Sequence, residues 1–195
     1  MLSRIALIGA LVLSCSAATL AQQSSSPEAY IDDEAYRVYD ALLPQDSTGS
    51  TFVMQGDTFA KLSDQNSHSF GPEECIDPGV AADFKDAITD YNRANQNRWL
   101  LQRKFSTQHP YEILDAATLA ALFKGDGWTA LRQRFPNAAG MFEMSAVGFN
   151  KDKTRAILYF GHSCGSLCGD WSFHLLKKVE SKWTEVPGVM CHTMS

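Results

Sequence analysis

Thr154-Arg155-Ala156-Ile157-Leu158-Tyr159-Phe160, then Gly161-His162-Ser163-Cys164-Gly165-Ser166-Leu167-Cys168-Gly169, then Trp171-Ser172-Phe173-His174-Leu175-Leu176 is the stretch that decides the fold. Two runs of strand length, rich in β-branched and aromatic residues, flank a glycine–cysteine turn, which is the pattern of an antiparallel hairpin. Side chains in a strand alternate between faces, so Ala156, Leu158 and Phe160 share one face, and Trp171, Phe173 and Leu175 share another. Phe142–Phe149 precedes this hairpin as a further strand, linked by the polar Asn150–Lys153. Lys182–Val186 follows it after Glu180-Ser181. Successive strands with short links predict an antiparallel meander.

Upstream the period changes. From Tyr30 to Leu43, Ile31, Ala35, Val38 and Leu42 recur at helical spacing until Pro44. Thr51–Met54 is a short strand, and Lys61–Pro78, rich in Ser, Asn, Asp, Gly and Pro, is a loop that carries Cys75. Phe84, Ala87, Ile88, Tyr91, Ala94, Leu101 and Phe105 predict one long helix from Asp83 to Phe105, stopped at His109-Pro110. Asp115 caps a short helix from Ala116 to Lys124, and Trp128, Leu131 and Phe135 mark a further amphipathic turn or two. Helices first and strands last give an α+β fold, with N-terminal helices packed on one face of a C-terminal antiparallel β-meander.

The segment Ser145-Ala-Val-Gly-Phe-Asn150, with Thr154–Tyr159, Cys164-Gly-Ser-Leu-Cys168-Gly169, Phe173–Lys177 and Lys182-Trp183, resembles a group of uncharacterised exported bacterial proteins. That group has no assigned activity. The resemblance implies a fold and an exported location, and it transfers no functional residue.

Residues 1–21 read as a secretory signal. Arg4 precedes an apolar run, Ile5–Leu13, that is too short to span a bilayer, and Thr19-Leu20-Ala21 suits signal peptidase. The expected product is secreted or periplasmic, with residues 22–29 a flexible linker and 30–195 a single domain. The alternative is a lipoprotein anchored at Cys15, because Val12-Leu13-Ser14-Cys15 approximates a lipoprotein box. Removing the leader with its one charge, Arg4, takes the net charge from −5 to −6. That acidity argues against nucleic acid or anionic lipid as a partner. Arg93, Arg98, Arg103 and Lys104 form the single basic cluster, expected as a solvated helix face. No second apolar run reaches the length of a transmembrane helix.

Cleavage after Ala21 leaves Cys75, Cys164, Cys168 and Cys191. An even number of cysteines in an exported chain reads as disulfides, and four allow three pairings. Cys164–Cys168 is favoured because strands converging on a tight turn bring their Cα atoms into bridging range. Cys75–Cys191 then remains. Two sharper readings use the same residues. His162, Cys164, Cys168, Cys191 and His192 are ligand types that zinc or copper prefers, although their spacing matches no familiar zinc framework. A redox dithiol lacks the Cys-x-x-Cys spacing and the βαβ setting.

Gly161-His-Ser163-Cys-Gly165 has the letters of a nucleophile elbow, but it sits in a hairpin and not in a strand-to-helix turn. His174 shares its sheet face with Ser172 and Lys178. His68 lies in a polar loop and His109 at a helix end. Asp83, Asp86 and Asp90 share a helix face, as acids near a helix start do. Trp99, Trp128, Trp171 and Trp183 read as core; with Phe123, Phe135 and Tyr159 they would otherwise line a pocket. The functional expectation is an exported, disulfide-stabilised module that binds a protein, envelope or small apolar partner, without a metal or cofactor. The alternative is an envelope enzyme: a hydrolase using Ser163 with His162 or His174, or a thiol or metal centre at Cys164 and Cys168.

Overall fold

The computed structural model describes residues 27–45, 49–58 and 71–194. The expected signal segment, Cys15, most of the linker and His68 lie outside them. In chain order the elements are β1 (Glu28–Ala29), α1 (Asp33–Leu42), β2 (Thr51–Gln55), α2 (Pro72–Cys75), α3 (Pro78–Ala94), β3 (Trp99–Leu100) and β4 (Tyr111–Leu114). They continue with α4 (Ala116–Leu122), α5 (Gly127–Arg134), β5 (Ala138–Met144), β6 (Gly148–Phe149), β7 (Arg155–Gly165), β8 (Cys168–Val179), β9 (Lys182–Val186) and β10 (His192–Met194). The fold mixes helix with a multi-stranded sheet.

The hairpin read from the sequence is its centre. β7 and β8 pair antiparallel from Arg155↔Lys177 to Gly165↔Cys168. Glu180 and Ser181, with φ of 46° and 67°, make the two-residue turn into β9, and left-handed φ at both central positions matches the twist of the flanking strands. The sheet departs from a pure meander on its other side. Its order is β10-β8-β7-β5-β2-β4, with β6 beside β7 and β9 beside β8. β2 runs parallel to both β4 and β5, so the sheet is mixed.

The expected strand Phe142–Phe149 is two strands. It breaks at Ser145–Val147, where Ser145 N still donates to Tyr159 O of β7 at 2.9 Å but side chains take up the rest of that backbone. Asn95 Oδ1 accepts from Ala146 N at 2.8 Å, Tyr30 Oη accepts from Val147 N at 2.9 Å, and Tyr39 Oη donates to Ser145 O at 2.8 Å. All these groups are buried, and unpaired backbone there would be costly.

The long helix is also corrected. Asp77 caps α3 and Pro78 opens it, so it begins inside the expected loop. It ends at Ala94 rather than Phe105 because Asn95 turns its amide to the carbonyls of Tyr91 and Ala146. The indole of Trp99 meanwhile donates to Ala94 O at 2.9 Å. Residues 99–101 then run extended, with Thr58 N donating to Trp99 O and Leu101 N to Gly56 O. Arg98, Arg103 and Lys104 therefore leave the helix, and each meets an acid: Asp57, Glu112 and Asp33. Arg93 stays on α3 and pairs with Asp90.

Apolar side chains cover both sheet faces. Phe52, Met54, Phe142, Met144, Ala156, Leu158 and Leu176 form one buried cluster with Tyr36, Val38 and Tyr39 of α1. On the other face, Ile157, Phe173 and Leu175 join Phe84, Ala87, Ile88 and Tyr91 of α3. Val53, Leu114 and Met141 meet Leu131 of α5. Helices thus lie against both faces instead of the expected one. Asp83 and Asp90 serve this packing. Asp83 pairs with Lys177 at 2.8 Å, and Asp90 accepts from Phe149 N at 3.0 Å; Asp86 is exposed.

Candidate functional site

The structure sets Cys75 against Cys191 and Cys164 against Cys168, each pair at disulfide distance, with Cα separations of 4.9 and 5.1 Å. The first pair lies where Ile76 bridges Val189 and Met190 N donates to Cys75 O at 2.7 Å. The tail and turn cysteines therefore do not converge. Among the described residues no three His, Cys, Asp or Glu side chains stand where they would hold a metal ion.

Ser163 does not meet either expected histidine. It is buried on β7, opposite Met141 and Gly169. His162 is its neighbour in the strand and so points to the other face. There the His162 Nε2 atom sits 2.7 Å from Ala139 O, with its ring tilted against that of Phe142 at a centroid distance of 4.7 Å.

His174 has a different hydroxyl. Ser172 Oγ lies 3.1 Å from His174 Nε2, and His174 Nδ1 lies 2.6 Å from Glu185 Oε1. Ser172 and His174 share a face because they are two residues apart on β8. Glu185 reaches them because the tight Glu180-Ser181 turn sets Leu176 opposite it, one step diagonal from His174. The hydrogen bond from His174 holds the Glu185 carboxyl below its ordinary value. A carboxylate beside Nδ1 places the ring proton there, leaving Nε2 as acceptor for the hydroxyl. His174 is 20% exposed and Glu185 53%, so this row faces solvent. Period two along β8 is enough to bring Ser172 and His174 together, whereas Glu185 joins them only through the register that the two-residue turn fixes.

The tryptophans do not line one pocket. Trp183 is buried with α1, and Trp128 packs with Leu131 on the opposite face. Trp171 is half-buried, with its Nε1 donating to Glu143 Oε2 at 2.9 Å. Its ring lies over Gly161, where a Cβ would collide with it.

A separate cleft of about 470 Å³ opens at the carboxyl ends of β2 and β4. Both strands are parallel, so their last residues leave the sheet at one edge, where open sheets commonly take ligands. Leu100, Leu101, Ile113, Ala116 and Ala117 supply an apolar lining. Its acids are engaged. Asp57, buried, accepts from Arg98 at 2.8 Å, and Asp115 accepts from Thr118 N at 2.7 Å. Leu100 and Leu101 were missed because the sequence placed them on a helix. Compared with known protein families, curated proteins and solved structures, the chain matches none.

Proposed function

We propose that this chain is an exported, disulfide-braced binding module that takes a small, mainly apolar ligand in the cleft beside β2 and β4. In this reading the leader is removed after Ala21, and residues 30–195 work as one α+β unit with its helices against the sheet. The observation that carries it is the cleft itself. It is of ligand size and mostly apolar, and its few polar groups already have partners, so an apolar guest would leave none of them stranded. Half-exposed Leu100, at 41%, is the lining residue with most to gain from being covered.

Fluorescence titration with Nile red, a neutral apolar dye, tests this. Saturable binding is expected, and Ala116→Trp, which fills the cleft from α4, should weaken it about tenfold, or ~1.4 kcal/mol. Binding that never saturates, or that Ala116→Trp leaves unchanged, would remove the cleft as the ligand site. Retention of the intact mature chain in the exported fraction, beginning at Gln22, tests the location.

A further inference from the structure

The geometry points to Ser172 as an activated nucleophile, with His174 as its general base and Glu185 orienting that base, competent to accept an acyl group from a small carboxylic ester. The three contacts run in one line. The Ser172 hydroxyl donates to His174 Nε2 at 3.1 Å, and His174 Nδ1 donates to Glu185 Oε1 at 2.6 Å. This is the connectivity by which a weak hydroxyl nucleophile is activated: a base within hydrogen-bond reach, itself held in one tautomer by a carboxylate. All three residues stand on paired strands and not on loops, and the ring of Phe160 packs edge-on against His174 at 5.8 Å. That leaves the imidazole little freedom to turn away. Glu185 is half-exposed and Ser172 and His174 are partly exposed, so a small ester can reach the row.

Ser172 Oγ bonds to the ester carbonyl carbon as its proton passes to His174 Nε2. The bond to the alcohol oxygen breaks, and the same proton leaves on the alcohol. Water then adds to the acyl-serine, giving its proton to His174, and the carboxylic acid departs as Ser172 recovers a proton. Nothing beyond ester and water is consumed. The assignment differs from a hydrolase built on Ser163, which is buried on the opposite face.

The proposal stands apart from the cleft. Ser172 chemistry should persist in Ala116→Trp, and dye binding should persist in Ser172→Ala. The test is an alkyl fluorophosphonate added to the full exported chain, followed by intact mass and peptide mapping. One phosphonyl adduct on Ser172 is expected, absent in Ser172→Ala. His174→Gln should slow its formation about a hundredfold, the usual scale of a lost general base. Glu185→Gln should slow it by a smaller factor at an unchanged thermal midpoint. If His174→Gln fails to fold, Glu185→Gln, at an exposed position, decides alone. No adduct on Ser172, or labelling at equal rates in the folded variants, overturns the proposal and leaves the row as a surface hydrogen-bond ladder.

Discussion

The two halves of the β7–β8 hairpin share one backbone pattern and differ in what they carry. In the half running from Arg155 to Leu158 and back through His174 to Val179, Ala156, Ile157, Leu158, Leu175 and Leu176 are buried on alternating faces. α1 lies to one side of that half and α3 to the other. Toward the turn the same alternation delivers His162, Ser163, Asp170, Trp171 and Ser172, and the tip exposes Leu167 at 89%. Each half has its own cysteine pair: Cys75–Cys191 beside the anchored half, and Cys164–Cys168 across the turn. Strand periodicity decides which face a side chain takes. Whether that face becomes core or chemistry depends on what the rest of the chain brings against it.

The two cysteine pairs, bridged, should differ most in what they contribute. They close loops of 116 and 4 residues, and in the loop-entropy account this corresponds to about 5 against about 2 kcal/mol. Replacing Cys75 and Cys191 with Ser should therefore lower the denaturation free energy more than replacing Cys164 and Cys168, as read by urea unfolding. Equal losses would mean that the turn half contributes as much to the native state as the anchored half.

Side-chain truncation sharpens it on a smaller scale. Leu158 is fully buried between α1 and the sheet, and Leu158→Ala should cost about 3 kcal/mol, roughly 10 °C in Tm for a domain of this size. Leu167→Ala should stay within about 0.5 kcal/mol, as surface changes do. A large loss at Leu167 would show that the tip is covered in solution.

The anchored half was legible because burial demands apolar residues at a fixed period. Thr154–Phe160, Trp171–Val179 and Lys182–Val186 are strands on that period alone. The Asp83–Phe105 helix was misread because Leu101 and Phe105 continue the apolar spacing, whereas Asn95 and Trp99 end the helix through contacts to Ala146 and Ala94. No local pattern announces such contacts. β4 and the first residues of β5 were invisible for a related reason: their pairing is with distant β2. Without them the cleft could not be placed. The Ser172 row was half legible, from period two on β8, and its carboxylate came from register across a turn.

Two carboxylates carry the comparison into pH. Glu34 of α1 sits against the anchored half, where burial works to raise its carboxyl. Lys178 Nζ at 2.7 Å and Trp183 Nε1 at 2.6 Å override that and hold it below 4.5. A depressed folded value means that its contribution is present above 4.5 and is lost as pH falls through the depressed value. Glu143 lies toward the turn half, opposite Gly161. Burial pushes it above 4.5, against the opposing hydrogen bond from Trp171. Its sign is reversed: its contribution is full below 4.5 and is lost as pH rises through the raised value. Thermal midpoints across pH should then show Glu34→Gln destabilising at neutral pH and flattening the acid limb. Glu143→Gln, which keeps an acceptor for the indole without the charge, should raise the midpoint at neutral pH and change it little below 4.5. If Glu143→Gln instead lowers stability most at neutral pH, the ionised carboxylate is stabilised under Trp171, and the turn half holds a paired charge and not a disfavoured one.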